Sequence, residues 1–258
     1  MTTALETEIA LAMETEVTLL RHLPFLLQDL PSLSGDDQDV IDVLKEAGLP
    51  KGCAVLDLGC GRGDITIRLA KAFDAHVTGF EGHTGFVRQA RQAAEAAGLS
   101  ARCRFVAGDL RGAFSEEARY DAVLMVAVGP VLGDMATTVG ALRTLTKPGG
   151  LIVIGDGYLE HGTPPTDAYV DYADRATTEA SLIRFGDTIV ARRERSPTLA
   201  AFNDLTLTAV PRRAEDLKAK HPEIAADLDA YVARQIEEVA LMDGPVVPVT
   251  WALRRADG

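Results

Sequence analysis

Three glycines and a handful of acids have the types and spacing that could do chemistry. In "VLDLGCGRGDITIRLA", residues 55–70, Asp57 stands near the end of an apolar run, Gly59, Gly61 and Gly63 follow at alternate positions, and Asp64 opens a helix-like stretch. Glycine between a strand and a helix costs backbone entropy, so the missing side chains must serve a bend or the close approach of a ligand. The spacing separates ligand classes. A dinucleotide turn reads G-x-G-x-x-G and presents a helix N-terminus to a pyrophosphate. Here the pattern is G-x-G-x-G, and Asp64 puts negative charge where a phosphate would have to sit. The Gly-Lys-Ser/Thr ending of a phosphate loop is absent. The turn suits a ligand that comes close to the backbone and brings no phosphate there.

Elements must place that turn. From Cys53 onward, strand-like and helix-like stretches alternate: "CAVLDLG", "DITIRLAKAF", "AHVTGFEG", "TGFVRQARQAAEAAG", "CRFVAGD", the apolar "YDAVLMVAV", a helix containing "ATTVGALRTLT", and "LIVIGD" after a "KPGG" turn. This rhythm predicts a doubly wound parallel sheet with right-handed crossovers and helices on both faces. Before it, Leu5, Ile9, Met13 and Val17 recur on one helical face, Pro24 and Pro31 interrupt, and Ser34, Asp36 and Asp37 are cap candidates for a second helix that Gly48 closes. After Asp156 the rhythm breaks. A Pro-marked loop and helical material follow, then "DLTLTAV" as a strand, a long helical region broken at Pro222, and "VVPVTWALRR" as a last strand.

Composition limits the partners. The 258 residues carry a formal net charge of −12, with 47% hydrophobic and 25% charged residues, as expected for a soluble globular chain. The densest basic cluster, "ARRERS" (191–196), is short and reads as a solvated helix face, so nucleic acid is disfavoured. No apolar run reaches the roughly 20 residues of a membrane helix. The acidic N-terminus does not read as a signal peptide, and Cys53, Cys60 and Cys103 have neither metal-ligand nor disulfide-scaffold spacing. A cytoplasmic protein without a bound metal, acting on a neutral or cationic small molecule, is the expectation.

The 55–70 stretch resembles motif I of the class I S-adenosylmethionine-dependent methyltransferases, whose fold is Rossmann-like. Glu81 in "VTGFEG" and Asp109 in "FVAGDL" fall where that family places acids for the ribose hydroxyls and the adenine amino group. "YDAVLMVAVGPV" and "LTKPGGLIVIGD" match its fourth strand and the approach to its fifth. The resemblance implies a mostly parallel seven-stranded sheet, S-adenosylmethionine as cofactor and S-adenosylhomocysteine as product. It points to Asp57, Gly59, Cys60, Gly61, Gly63, Glu81, Gly82, Asp109, Leu110 and Val126 as cofactor-binding positions. Cys60 has no histidine within a few residues to activate it, so its backbone, not its thiol, is the expected contact. The implied layout is an N-terminal helical lid (1–48), a core (49–157), a helical cover inserted after the fifth strand (158–200), and closing strands with a helix (201–258).

The implied reaction is in-line displacement of a methyl group onto a small-molecule acceptor, which alignment alone can support, so no catalytic residue is obligatory. Asp156, Tyr158, His161, Tyr169 and Tyr172 are the candidates for a base or an aromatic pocket near the fifth strand, with His83 and His22 behind them. Asp156 lacks the Asp-Asn neighbour of a metal-dependent site. Two alternatives stand beside this reading: a non-catalytic nucleoside- or partner-binding module on the same fold, and a protein methyltransferase. A homodimer is compatible with the chain, as is a monomer.

Overall fold

The computed structural model describes residues 3–35, 37–115, 119–161, 164, 169–170 and 172–257. The chain opens with α1 (Ala4–Ala12), a 3-10 turn (Val17–His22), α2 (Leu23–Leu26) and α3 (Asp37–Glu46). The core then alternates β1 (Ala54–Leu58), α4 (Asp64–Phe73), β2 (His76–Glu81), α5 (Thr84–Ala96), β3 (Cys103–Ala107), β4 (Tyr120–Val126), α6 (Met135–Leu145) and β5 (Thr146–Leu159). It ends with α7 (Arg175–Leu182), β6 (Thr188–Glu194), α8 (Pro197–Lys218), α9 (Ala225–Asp243) and β7 (Val246–Arg254).

The strands form one seven-stranded sheet in the order β3-β2-β1-β4-β5-β7-β6, parallel from β3 to β5, with β7 antiparallel to both its neighbours. The order reverses between β1 and β4. Ligands in such sheets bind beyond the strands' carboxyl ends at that switch point. β4 is apolar along most of its length because both sheet faces are covered: Ala122 and Leu124 join the core under α3, α4 and α5, while Val123 and Met125 join the other, with α6. Each fully buried leucine in these layers contributes about 1.5–3 kcal/mol.

A third apolar cluster joins the N-terminal segment to the α8–α9 pair. Leu19, Leu23 and Leu26 pack there with Val210, Leu228 and Tyr231. Two polar fastenings bind this layer to the core. His83, which caps α5, donates from Nε2 to the Leu20 carbonyl (2.7 Å) while its Nδ1 accepts the Phe86 N–H, so both ring nitrogens are used in the neutral form. Arg62, inside the glycine turn, donates to the carbonyls of Leu27 (2.9 Å) and Leu30 and to Asp64 (2.9 Å).

Three expectations change here. "DLTLTAV" lies inside α8: Ser196 caps the helix, Pro197 occupies its first turn, and Thr206, Ala209 and Val210 are buried on one helical face while Leu205 and Leu207 are exposed. Helix formers on both sides override the β-branched residues. The strand paired with β7 is instead β6, "TIVARRE", so "ARRERS" is not a helix face; its arginines are held by acids, Arg192 by Glu179, Arg193 by Glu46 and Arg195 by Glu160. Residues 158–200 therefore supply a sheet strand and α7, which packs on α6 and β5, rather than a wholly helical cover. Asp36, a cap candidate, lies outside the described residues. No helix among those described is long and apolar enough to cross a membrane.

Candidate functional site

At the switch point, the turn after β1, the end of β2, the loop after β3 and the end of β4 surround a cavity that encloses about 1050 Å3, counting its open mouth. Nine of the ten cofactor-binding positions expected from the sequence line it: Asp57, Gly59, Cys60, Gly61, Glu81, Gly82, Asp109, Leu110 and Val126.

Gly59 (φ 75°) and Gly61 (φ 53°) adopt the left-handed backbone that side chains disfavour. A Cβ on Gly59 would collide with Val128 Cγ2, and one on Gly61 would meet Leu33 Cδ1 at 2.7 Å. Gly63 differs from both. It caps α4, lies off the cavity, and its missing side chain leaves room for Phe105 and Ala90, so it serves helix–sheet packing. Cys60 is 8% exposed, its sulfur sits under Gly79, and burial pushes its thiol far above the usual range. Its backbone, not a nucleophilic thiolate, is what the cavity meets.

The acids differ in setting. Glu81 anchors the turn: one oxygen accepts the Gly61 N–H (2.9 Å) and the other the His83 N–H (2.6 Å). Burial raises its pKa against those bonds. Asp57 is 2% exposed and accepts from the Thr66 hydroxyl at 2.6 Å; burial, then the nearby carboxylates of Glu81, Asp37 and Asp64, push it up to about 6. Asp109 is open to solvent and paired with Arg111 (2.8 Å), which holds its pKa down. Arg111 also reaches Glu8 of α1.

The expected catalytic candidates are not in the lining. Asp156 is half-buried, and its carboxylate accepts from the Tyr172 hydroxyl (2.5 Å) and the Gly157 N–H; Tyr169 donates to Glu238 at 2.6 Å. Burial and these acids hold both phenols protonated, their pKa values well above normal. Tyr158 joins the core under β5, and His161 is exposed. His83 has both nitrogens engaged, and His22 stacks on His221. Asp156 and Tyr158 lie away from the cavity because β5 continues to Leu159 and carries them into its pairing with β7.

The walls that sequence reasoning missed come from the N-terminal layer. Leu5, Ile9 and Met13, the stripe visible as a helical face, cover the cavity, and Leu33, Ser34 and Asp37 close its glycine end. The stripe's period showed a buried face and the resemblance implied a lid over residues 1–48, but neither named which side chains stand over the cavity. Toward β4, the wall is apolar: Val126, Ala127, Val128 and Val131. No cluster among the described residues is arranged to hold a metal.

The sign of the Asp57 shift gives a testable pH dependence. A cationic ligand group beside Asp57 favours its ionised form, so binding must expel a proton wherever Asp57 is protonated. With its value near 6, affinity for S-adenosylhomocysteine is expected to fall on the order of tenfold from pH 7 to pH 5. Calorimetry at both pH values checks this. A flat profile would remove Asp57 from contact with the cation.

A family model described as a methyltransferase domain matches residues 55–150. A 2-methyl-6-phytyl-1,4-hydroquinone methyltransferase of Synechocystis is 33% identical over 108 residues, 42% of this chain and 33% of that protein. The chain spans about a third of the length of the first curated relatives it matches. Two solved methyltransferases described as complexes with S-adenosylhomocysteine share the fold. The one from Geobacter sulfurreducens has a TM-score of 0.76 at 22% identity, covering 91% of this chain and 98% of its own. The one from Thiobacillus denitrificans has a TM-score of 0.75 at 21% identity, with the same coverages. Residues 55–150 thus match a methyltransferase domain, and the chain as a whole, with its 3-2-1-4-5-7-6 sheet, has the fold of these solved methyltransferases.

Proposed function

We propose that this chain is a methyltransferase that uses S-adenosylmethionine to methylate a small molecule with an apolar body, mainly by alignment. The observation that carries the reading is the convergence of Gly59, Gly61, Asp57, Glu81 and Asp109 on one cavity. The residues fit the cofactor chemically. Bare backbone at Gly59 and Gly61 admits close approach, the Glu81 carboxylate can accept from two ribose hydroxyls, and Asp109 can accept from an adenine amino group. Asp57 and its acidic neighbours suit a cationic amino-acid tail.

The cofactor supplies an electrophilic methyl group, and the chain supplies position and dryness. The apolar wall of Val126, Ala127, Val128 and Val131, which shares the cavity with Ile9 and Ala12 of α1 and with Met13, has no charged side chain, which favours an uncharged acceptor body. No base among Asp156 and the nearby tyrosines reaches the cavity, so an intrinsically nucleophilic acceptor atom fits best. The hydroquinone and sterol methyltransferases among the relatives are consistent with an apolar-bodied substrate.

Calorimetry with S-adenosylmethionine and S-adenosylhomocysteine tests the cofactor, and methyl transfer to a panel of phenols, thiols, amines and carboxylates tests the reaction. Folded protein that binds neither nucleoside would end the proposal. Binding without turnover across the panel would favour a nucleoside-binding module.

A further inference from the structure

Arg62 stands between Gly61 and Gly63, yet its side chain is 12% exposed and is not among the groups that line the cavity. Its guanidinium is spent in three directions. Nε donates to Asp64 (2.9 Å), Nη1 to the Leu27 carbonyl (2.9 Å) and Nη2 to the Leu30 carbonyl. A guanidinium taken out of water is tolerated only while its donors are met. Residues 27–30 are therefore held where Arg62 reaches them.

The held segment returns the contact. Three residues past Leu30, Leu33 packs on Gly61, with its Cδ1 2.7 Å from the place a Cβ would take. Leu33 and Ser34 line the cavity, and the Ser32 hydroxyl accepts the Gly35 N–H (3.0 Å), which ties the bend. The turn reaches out through one residue, and the segment comes back onto that residue's neighbour. Its outer side has a second clamp, because Asp29 accepts from Arg212 and Arg213 of α8. That clamp is partly exposed, and none of its members lines the cavity.

We propose that Arg62 is a positioning residue: it fixes residues 30–34 as a preformed wall over the glycine turn, and so strengthens the binding of an adenosyl ligand that it does not touch. This rests on the cofactor reading given above. A wall already in place spares the ligand the entropy of ordering it. Charge alone makes the opposite prediction. S-adenosylmethionine is a net cation, and Asp57 and Asp64 line this end of the cavity. Deleting a positive charge there would tighten its binding on Coulombic grounds. Weaker binding therefore reports the wall.

The test is titration calorimetry with S-adenosylmethionine, beside thermal melting of each variant. Arg62→Met is expected to weaken binding by about tenfold, the scale of re-ordering a loosened segment. Arg62→Lys keeps the charge without the fork and should fall between it and the parent protein. Arg213→Met, which loosens the same segment from outside while Arg212 still holds Asp29, should stay within about threefold of the parent, as for a partly exposed ion pair. Unchanged or tighter binding by Arg62→Met overturns the assignment. So does an equal loss in Arg213→Met, because affinity would then only follow the stability of the layer. Amide hydrogen exchange needs no variant to fold. In the unsubstituted protein without ligand, the Leu30 and Gly35 amides, bonded to the Leu27 carbonyl and the Ser32 hydroxyl, must already be protected. Fast exchange there, slowed only by S-adenosylmethionine, would also overturn it. Failure of the unsubstituted protein to bind S-adenosylmethionine would instead defeat the cofactor reading itself.

Discussion

Gly61→Val is expected to weaken S-adenosylhomocysteine binding by at least on the order of a hundredfold, about 2.7 kcal/mol. Valine would meet two separate obstacles. The backbone at φ 53° is left-handed, where a β-branched residue is strained by roughly 1–3 kcal/mol. Its Cβ would also stand 2.7 Å from Leu33 Cδ1, with two methyl groups still to place between the turn and the covering layer. Relief requires the turn or Leu33 to move, and both form the cavity wall. Gly98→Ala provides the control, because Gly98 has φ 69° and open space beside it, so it carries strain alone. Chemical denaturation of both variants separates stability from affinity. Binding by Gly61→Val within about threefold of the parent protein would show that the ligand does not approach this turn.

Glu81→Ala should cost about 1–3 kcal/mol of affinity, the range for losing hydrogen bonds to a charged acceptor. Its carboxylate does two jobs at once. It holds the Gly61 and His83 N–H groups, which shapes the turn, and it offers remaining lone pairs to a ligand's hydroxyls. Stability should change less than affinity. Burial opposes the ionised carboxylate in the free protein, so removing it relieves a desolvation cost while losing two backbone bonds. Glu81→Gln, which keeps one acceptor oxygen, should fall between. Titration calorimetry beside thermal melting distinguishes these outcomes. An alanine variant that melts earlier yet binds S-adenosylhomocysteine normally would make Glu81 a brace for the turn and nothing more.

The residues legible in the sequence are those whose roles follow from local chain geometry. Asp57, Glu81 and Asp109 sit at or just beyond strand ends, and parallel strands deliver such ends to one edge, so their gathering could be foreseen from alternation alone. Gly63 could not be separated from Gly59 and Gly61 by type; only the neighbours of its absent side chain, Phe105 and Ala90, show that it packs rather than lines. β6 was hidden because Arg192, Arg193 and Arg195 read as a solvated surface until Glu179, Glu46 and Glu160 appear beside them from distant parts of the chain. The segment around Thr206 has strand-like residues but obeys the longer helix that contains it. Asp37 looked like a helix-starting acid, which it is. Its place in the cavity wall depends on α3 lying beside the glycine turn, a tertiary fact with no local signature.

The uneven fastening of the N-terminal layer has a consequence for traffic through the site. Its inner stretch is riveted by His83 to Leu20 and by Arg62 to Leu27 and Leu30, and lifting it would strand buried carbonyls. α1 is tethered near the mouth by the exposed Glu8–Arg111 pair, a weak contact that salt screens, besides its apolar contacts. Behind it Glu14, at a positive φ of 48°, is held by Arg234 Nε, which donates to its carbonyl at 2.6 Å and marks where the firmly fastened part begins. Swinging α1 outward is thus the low-cost route for exchanging bound molecules, while the deeper half stays fixed as the template against which they are gripped.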